Sequence, residues 1–222
     1  MDKKLMIQAL TRYLAGLIIT ALLIFLPAGK LYANGWLLLA LLFLPMLAMG
    51  IVLLKKNPAL LRLRLESREK EKTQKGVIGI SGLIFLAGFL LCGLHQRFGW
   101  MPLPEWAVIA ASVIFLAGYV MYAEVMRENT YLSRTVGVQD GQKVIDTGLY
   151  GIVRHPMYLA TVLMFLAVPL VLGSLYAFFV FLPYPLVLAV RIGNEEQVLM
   201  RELPGYADYL KKVKYRMIPF VW

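Results

Sequence analysis

The sequence predicts an all-α, polytopic transmembrane helical bundle of about six membrane segments, the last two a short helical hairpin, followed by a cytoplasmic C-terminal helix. Three observations predict it. The 222 residues are 60% hydrophobic and 16% charged, with a mean hydropathy of +0.70, outside the range of soluble domains. Charged residues are missing from Tyr13 to Gly29, Leu31 to Leu54, Gly76 to Leu94, Trp106 to Ala123 and Met157 to Val190. All 23 Lys and Arg residues except Lys30 and Arg97 fall in stretches that such a bundle places on one side. By the positive-inside rule that side, with both termini, is cytoplasmic.

The first four uncharged runs are each about one helical crossing long and place segments near residues 13–29, 36–54, 77–94 and 106–126. Lys3, Lys4 and Arg12 precede the first, which reads as a retained anchor rather than a cleaved leader. The fifth run, of 34 residues, would make a helix of roughly 50 Å against a hydrocarbon core of about 30 Å. It therefore folds back at Gly173-Ser174, shortly after Pro169, into segments 157–172 and 175–190. Between the second and third segments, Lys55–Lys75 reads as one amphipathic surface helix. In the loop after the fourth, Val136, Val138, Val144 and Ile145 alternate weakly around Asp140-Gly141 and suggest a small β-hairpin, either a flap over a site or a spacer. The chain divides into N-terminal helices with their basic loop, residues 1–126, and the loop, hairpin and C-terminal helix of residues 127–222.

The net charge of +10 follows from this asymmetry and favours contact with anionic membrane lipids, so it requires no nucleic-acid partner. The lone Cys92 excludes an internal disulfide and a thiolate-rich metal site, and no metal is expected. No ionisable residue lies in the middle of a span, which argues against an ion channel or proton-coupled transporter and puts any chemistry at the cytoplasmic boundary. Two polar clusters meet there. Gly148–Tyr158 (GLYGIVRHPMY) sets Arg154 and His155 before Pro156, whose fixed φ suits the first turn of the entering helix and holds His155 out of it. In Arg191–Glu196 (RIGNEE), Arg191 and Glu195 share a helix face while Glu196 is turned about 100° away. Plain structural readings exist for both: a capping His beside an Arg paired with lipid phosphate, and an i,i+4 salt bridge on a solvated helix.

Together with the tail LPGYADYLKKVKYRMIPFVW, these clusters resemble the isoprenylcysteine carboxyl methyltransferase family, whose relatives include phospholipid N-methyltransferases. The likeness covers roughly residues 127–222, marking them as a methyltransferase-like catalytic region. It implies methyl transfer from S-adenosylmethionine to a lipophilic, isoprenoid or lipid-like acceptor. It assigns Val153, Arg154, His155, Pro156 and Tyr158 to the cofactor's surroundings, with Glu195 or Glu196 facing its ammonium or ribose hydroxyls. Arg191, with Glu195 beside it, then forms the catalytic pair, because an Arg fork holds an acceptor carboxylate with two parallel hydrogen bonds. Alignment of donor and acceptor matters more for such a displacement than acid or base assistance. The tail carries Leu203-Pro204-Gly205 where many relatives place Phe-Gly, which counts against a prenylated protein as acceptor. No Gly-rich loop of the soluble methyltransferase type is present.

Two other classes compete. A lipid or sterol-type reductase would bind NADPH in a similar hairpin, and its phosphates would require several cations besides Arg154 and Arg191. A non-enzymatic membrane protein would use the basic face for lipid or partner contact.

Overall fold

In hydrocarbon, long apolar runs satisfy their backbone polar groups within the segment only as helices. The computed structural model describes residues 2–66, 69 and 71–222, and these form nine α-helices, one 3-10 turn and no strand. Helix α1 (Lys3–Ala28) starts at Asp2, whose carboxylate accepts from the amides of Lys4 and Leu5 at 3.0 and 3.2 Å, and stops at Gly29, φ 67°. The others are α2 (Ala33–Lys56), α3 (Pro58–Leu65), α4 (Lys72–Phe98), α5 (Glu105–Glu128), α6 (Pro156–Val171), α7 (Leu175–Phe181), α8 (Tyr184–Glu202) and α9 (Tyr206–Lys212). Five stretches are long and apolar enough to cross a membrane: Lys3–Ala28, Ala33–Lys56, Thr73–Phe98, Glu105–Glu128 and Leu175–Glu202. The chain is an integral membrane protein with the polytopic helical architecture expected of it.

The segment expected over 157–172 is the shorter α6, and its position explains why it needs no lipid-facing length. Nine of its 16 residues are buried, and α5 lies along it. Its Met164, Ala167, Val168 and Val171 share one core with Ile24, Leu38, Phe43, Phe89, Phe115 and Phe181. Large apolar side chains such as Leu26, Leu83, Ile109 and Val120 remain exposed around the bundle, where a bilayer would cover them.

Two glycines set how closely the helices approach, as small residues do in membranes. A Cβ at Gly93 would lie 2.8 Å from the Ile24 carbonyl oxygen, and one at Gly118 would lie 2.8 Å from Met164 Cγ and 3.0 Å from the Ala160 oxygen. Gly118→Val is therefore expected to wedge α5 from α6 and destabilise by about 1–3 kcal/mol, read as a lower thermal midpoint in detergent.

The hairpin turns where the sequence places it. Leu172 ends α6, Gly173 adopts φ 80°, and the Ser174 hydroxyl accepts from the Ala177 amide at 3.2 Å to cap α7. The returning limb breaks at Leu182-Pro183 before α8 begins. Two expectations are corrected. Lys55–Lys75 is not one helix: Asn57 leaves helical geometry, its side chain caps α3 by accepting from the Leu60 amide at 3.0 Å, and Glu66 is extended. The parts of that expectation at residues 67, 68 and 70 lie outside the described residues. The loop around Asp140-Gly141 forms a turn, with Gln142 N donating to Gln139 O at 3.0 Å, but no strands flank it. Val138 and Val144 instead pack on Leu203, Tyr206 and Tyr209, so their apolar character serves contact with α8–α9 rather than a ladder.

One end of the bundle gathers residues from every part of the chain. Asp2 pairs with Arg62 at 2.5 Å, Ser133 accepts from Arg64 at 3.1 Å, Gln74 from Arg191 at 2.9 Å, and Arg216 O from His155 N at 2.8 Å. At the other end, Gln96 donates to Leu172 O at 3.1 Å and Leu103 N to Gly173 O at 3.3 Å.

Candidate functional site

Pro156 occupies the first turn of α6, so the two residues before it keep free backbone amides. The amides of Arg154 and His155 donate to the carbonyls of Tyr215 and Arg216 at 3.0 and 2.8 Å, pairing this segment with the tail. Glu196, buried on α8, closes the same junction. Its Oε1 accepts from Arg154 Nε at 2.7 Å and lies 3.2 Å from His155 Nε2, while its Oε2 accepts from Arg216 Nε at 3.0 Å. Arg154 Nη1 also donates to the carbonyls of Val213 and Lys214, both at 2.8 Å. A carboxylate buried this deeply is tolerated because several charge-assisted bonds replace its water.

The neighbouring face of α8 looks elsewhere. The Tyr158 hydroxyl donates to Glu195 Oε2 and accepts from Arg191 Nε at 2.8 Å, so it stands between the two residues that share that face. Arg191 Nη1 donates to Gln74 Oε1 at 2.9 Å and Nη2 to Arg134 O at 2.8 Å. Every nitrogen of this guanidinium is therefore engaged.

Beside this row lies a partly open cavity, with about 830 Å³ of atom-free space that includes some continuous with solvent. Arg154, His155, Tyr158, Arg191 and Glu195 form its floor, and the loop over residues 129–145 covers it. Gln139 Nε2 holds that loop on Tyr131 O at 2.5 Å, and Val136 N donates to Glu69 Oε2 at 3.2 Å. Tyr131, Tyr150, Tyr206 and Tyr209 complete an aromatic wall. Burial pushes the hydroxyls of Tyr150, Tyr206 and Tyr209 up from their usual value, so they are neutral donors at physiological pH. Tyr150 accepts from Asn129 Nδ2 at 2.9 Å and Tyr209 donates to Tyr150 O at 2.8 Å. The hydroxyl of Tyr206, a residue only 4% exposed, has no hydrogen-bond partner among the described residues. An unpaired buried hydroxyl lining a cavity is costly, and a ligand atom would relieve it.

The structure thus brings Arg154, His155, Tyr158, Arg191 and Glu195 to one cavity, with the buried Val153 and Pro156 behind them. Glu196 turns away from it to hold the tail. Sequence reasoning missed Gln74, Arg134, Tyr150, Tyr206 and Arg216. For Tyr206 the tyrosine-rich stretch GYADYL was a usable signal, whereas Gln74 meets Arg191 only through a contact 117 residues apart.

Fold and site define a class: a polytopic helical membrane protein with a tyrosine-walled polar cavity at the basic end of its bundle. Within it, residues 106–205 match the family model described as phospholipid methyltransferase, a stretch from α5 to the end of α8 that contains most of the cavity. Curated relatives are also similar. Delta(14)-sterol reductase TM7SF2 of Mus musculus is 33% identical over 40% of this chain and 22% of its own length. Delta(14)-sterol reductase of Methylotuvimicrobium alcaliphilum is 21% identical over 58% of this chain and 39% of its own. The chain therefore spans less than half the length of either.

Proposed function

We propose that the protein is an S-adenosylmethionine-dependent membrane methyltransferase acting at a carboxylate of an isoprenoid or lipid-like acceptor, with both termini and the cavity on the cytoplasmic side. The observation that carries this reading is the cavity itself: a wall of four tyrosines over a floor that includes Tyr158 and Glu195, with most of the cavity's lining inside the stretch that matches the phospholipid methyltransferase family. When bound, S-adenosylmethionine supplies an electrophilic methyl group on a sulfonium cation. Tyrosine ring faces attract a cation, by roughly 0.5–2 kcal/mol each where water is excluded. Glu195 takes the cofactor's ammonium or ribose hydroxyls, and the Tyr206 hydroxyl donates to a polar atom of the same ligand. Arg154 and His155 shape the floor, while Tyr158 orients Glu195 and Arg191 together. Arg191, already donating from all three nitrogens, has only its remaining N–H groups to offer an acceptor carboxylate. The covering loop excludes water and holds the reactants in line.

The sterol reductase relatives favour a second reading, in which the same cavity takes NADPH. Its cations count against that. Arg154 and Arg191 are committed to protein partners, which leaves Lys143 as the one lining cation without a bond among the described residues. A dinucleotide's phosphates require more. Calorimetry on the detergent-purified protein distinguishes the two: S-adenosylhomocysteine is expected to bind and NADPH not. The opposite preference would replace the methyltransferase reading with the reductase one, and binding of neither would favour a non-enzymatic role.

A further inference from the structure

Beside the cavity, the same end of the bundle carries a second polar constellation. Arg12 of α1 donates to the Leu65 carbonyl at the end of α3. Arg64 of α3 donates to the Ser133 carbonyl at 3.1 Å and to the Tyr122 hydroxyl, and its guanidinium carbon lies 5.6 Å from the Tyr122 ring centre. Arg191 reaches the Arg134 carbonyl at 2.8 Å, and the Arg134 amide donates to Leu63 O at 3.4 Å. Guanidinium-bearing residues from α1, α3, α8 and the covering loop therefore converge where Leu63–Leu65 meets Ser133-Arg134.

What these four lack is a direct ion pair. None of them forms a salt bridge among the described residues, and all their observed partners are carbonyls, hydroxyls, an amide and the Met157 sulfur. Glu69 and Glu195 act on Arg191 electrostatically. The Arg134 side chain reaches the surface and donates no hydrogen bond among the described residues. Burial by its surroundings and the charges of Arg64, Arg12 and Arg191 nevertheless hold its guanidinium below its usual value. Like charges gathered in a partly desolvated site repel unless an anion joins them. The place also selects the anion, because Arg12 sits just ahead of the uncharged run of α1, and Tyr122 and Met157 lie where the apolar stretches of α5 and α6 end.

We propose that Arg12, Arg64, Arg134 and Arg191 form a binding site for the phosphate-bearing headgroup of an anionic lipid at the membrane boundary. Arg134 and Arg12 supply open N–H groups, and Arg64 and Arg191 fix the geometry through their protein partners. The site goes beyond the methyltransferase reading and does not require it.

Native mass spectrometry of the full chain released from neutral detergent tests it, with dioleoylphosphatidate, dioleoylphosphatidylcholine or inorganic phosphate added at matched concentrations. Phosphatidate is expected to bind at least about tenfold more tightly than phosphatidylcholine, and Arg134→Gln and Arg12→Gln each to weaken it about tenfold, the size of one charge-assisted contact. Lys211→Gln, which removes an exposed cation outside the cluster, should leave phosphatidate binding unchanged. Equal retention of the two lipids, or phosphatidate binding indifferent to both Arg variants, would overturn the site. Phosphate held as tightly as phosphatidate would overturn its assignment to a lipid. Binding of S-adenosylhomocysteine is read separately, so its failure would remove the cofactor reading and leave this site standing.

Discussion

Glu196→Ala is expected to destabilise the protein by about 3–5 kcal/mol, the cost of leaving buried cations without their partner. Arg154 and Glu196 side chains are both only 8% exposed, so the Arg154 guanidinium is poorly placed to exchange the lost carboxylate for solvent. Glu196 joins three elements directly: the start of α6 through Arg154 and His155, α8 on which it sits, and the tail through Arg216. Thermal unfolding in detergent should show the loss, with Arg154→Ala falling comparably. Arg216→Met should cost far less, because Arg216 is 40% exposed and water can take its place beside the carboxylate. If Glu196→Ala melted with the native protein, the clamp would have no energetic role. Glu196 would then have to be reconsidered as a ligand residue.

Glu195→Ala is the opposite kind of change. It is expected to weaken S-adenosylhomocysteine binding by about ten- to a hundredfold, the range of a hydrogen bond to a charged group, while leaving the thermal midpoint nearly intact. The asymmetry follows from where the two carboxylates look. Glu195 is half-buried at the cavity with the Tyr158 hydroxyl as its protein partner, so removing it frees a hydroxyl that Arg191 still contacts. Glu195→Gln keeps the shape and one acceptor, and should retain part of the affinity if the ribose hydroxyls are its target but lose as much as alanine if the ammonium is. Isothermal calorimetry on the pair reads this directly. Unchanged affinity in Glu195→Ala would remove the residue from the site.

These two neighbours illustrate what was legible in the chain and what was not. Composition, five uncharged runs and one-sided Lys and Arg residues were sufficient for a helical membrane bundle, because hydrocarbon leaves the backbone no other way to satisfy itself within a segment. Local stereochemistry was legible too: Pro156 opening α6 and the turn at Gly173-Ser174 each depend on a few adjacent residues. Helical spacing also showed that Glu195 and Glu196 face different ways. It could not say which faces a cavity, since that depends on the rotation of α8 against α6 and the tail.

Alternation in residues 136–145 misled for a related reason. Period two is the mark of a surface with one apolar side, and here Val138 and Val144 lay that side on α8–α9 instead of pairing with each other. Long-range partners were out of reach altogether. Gln74 occupying Arg191, Arg216 completing the Glu196 clamp, Arg12 reaching the end of α3 and Arg64 reaching Ser133 all join residues remote in sequence. The sequence by itself determined the class of fold, the membrane segments and the two polar clusters, because those rest on hydropathy and on neighbouring residues. Only the tertiary structure decided that Glu195 meets the cavity and Glu196 the tail, because helix rotation and long-range contact carry no local signature.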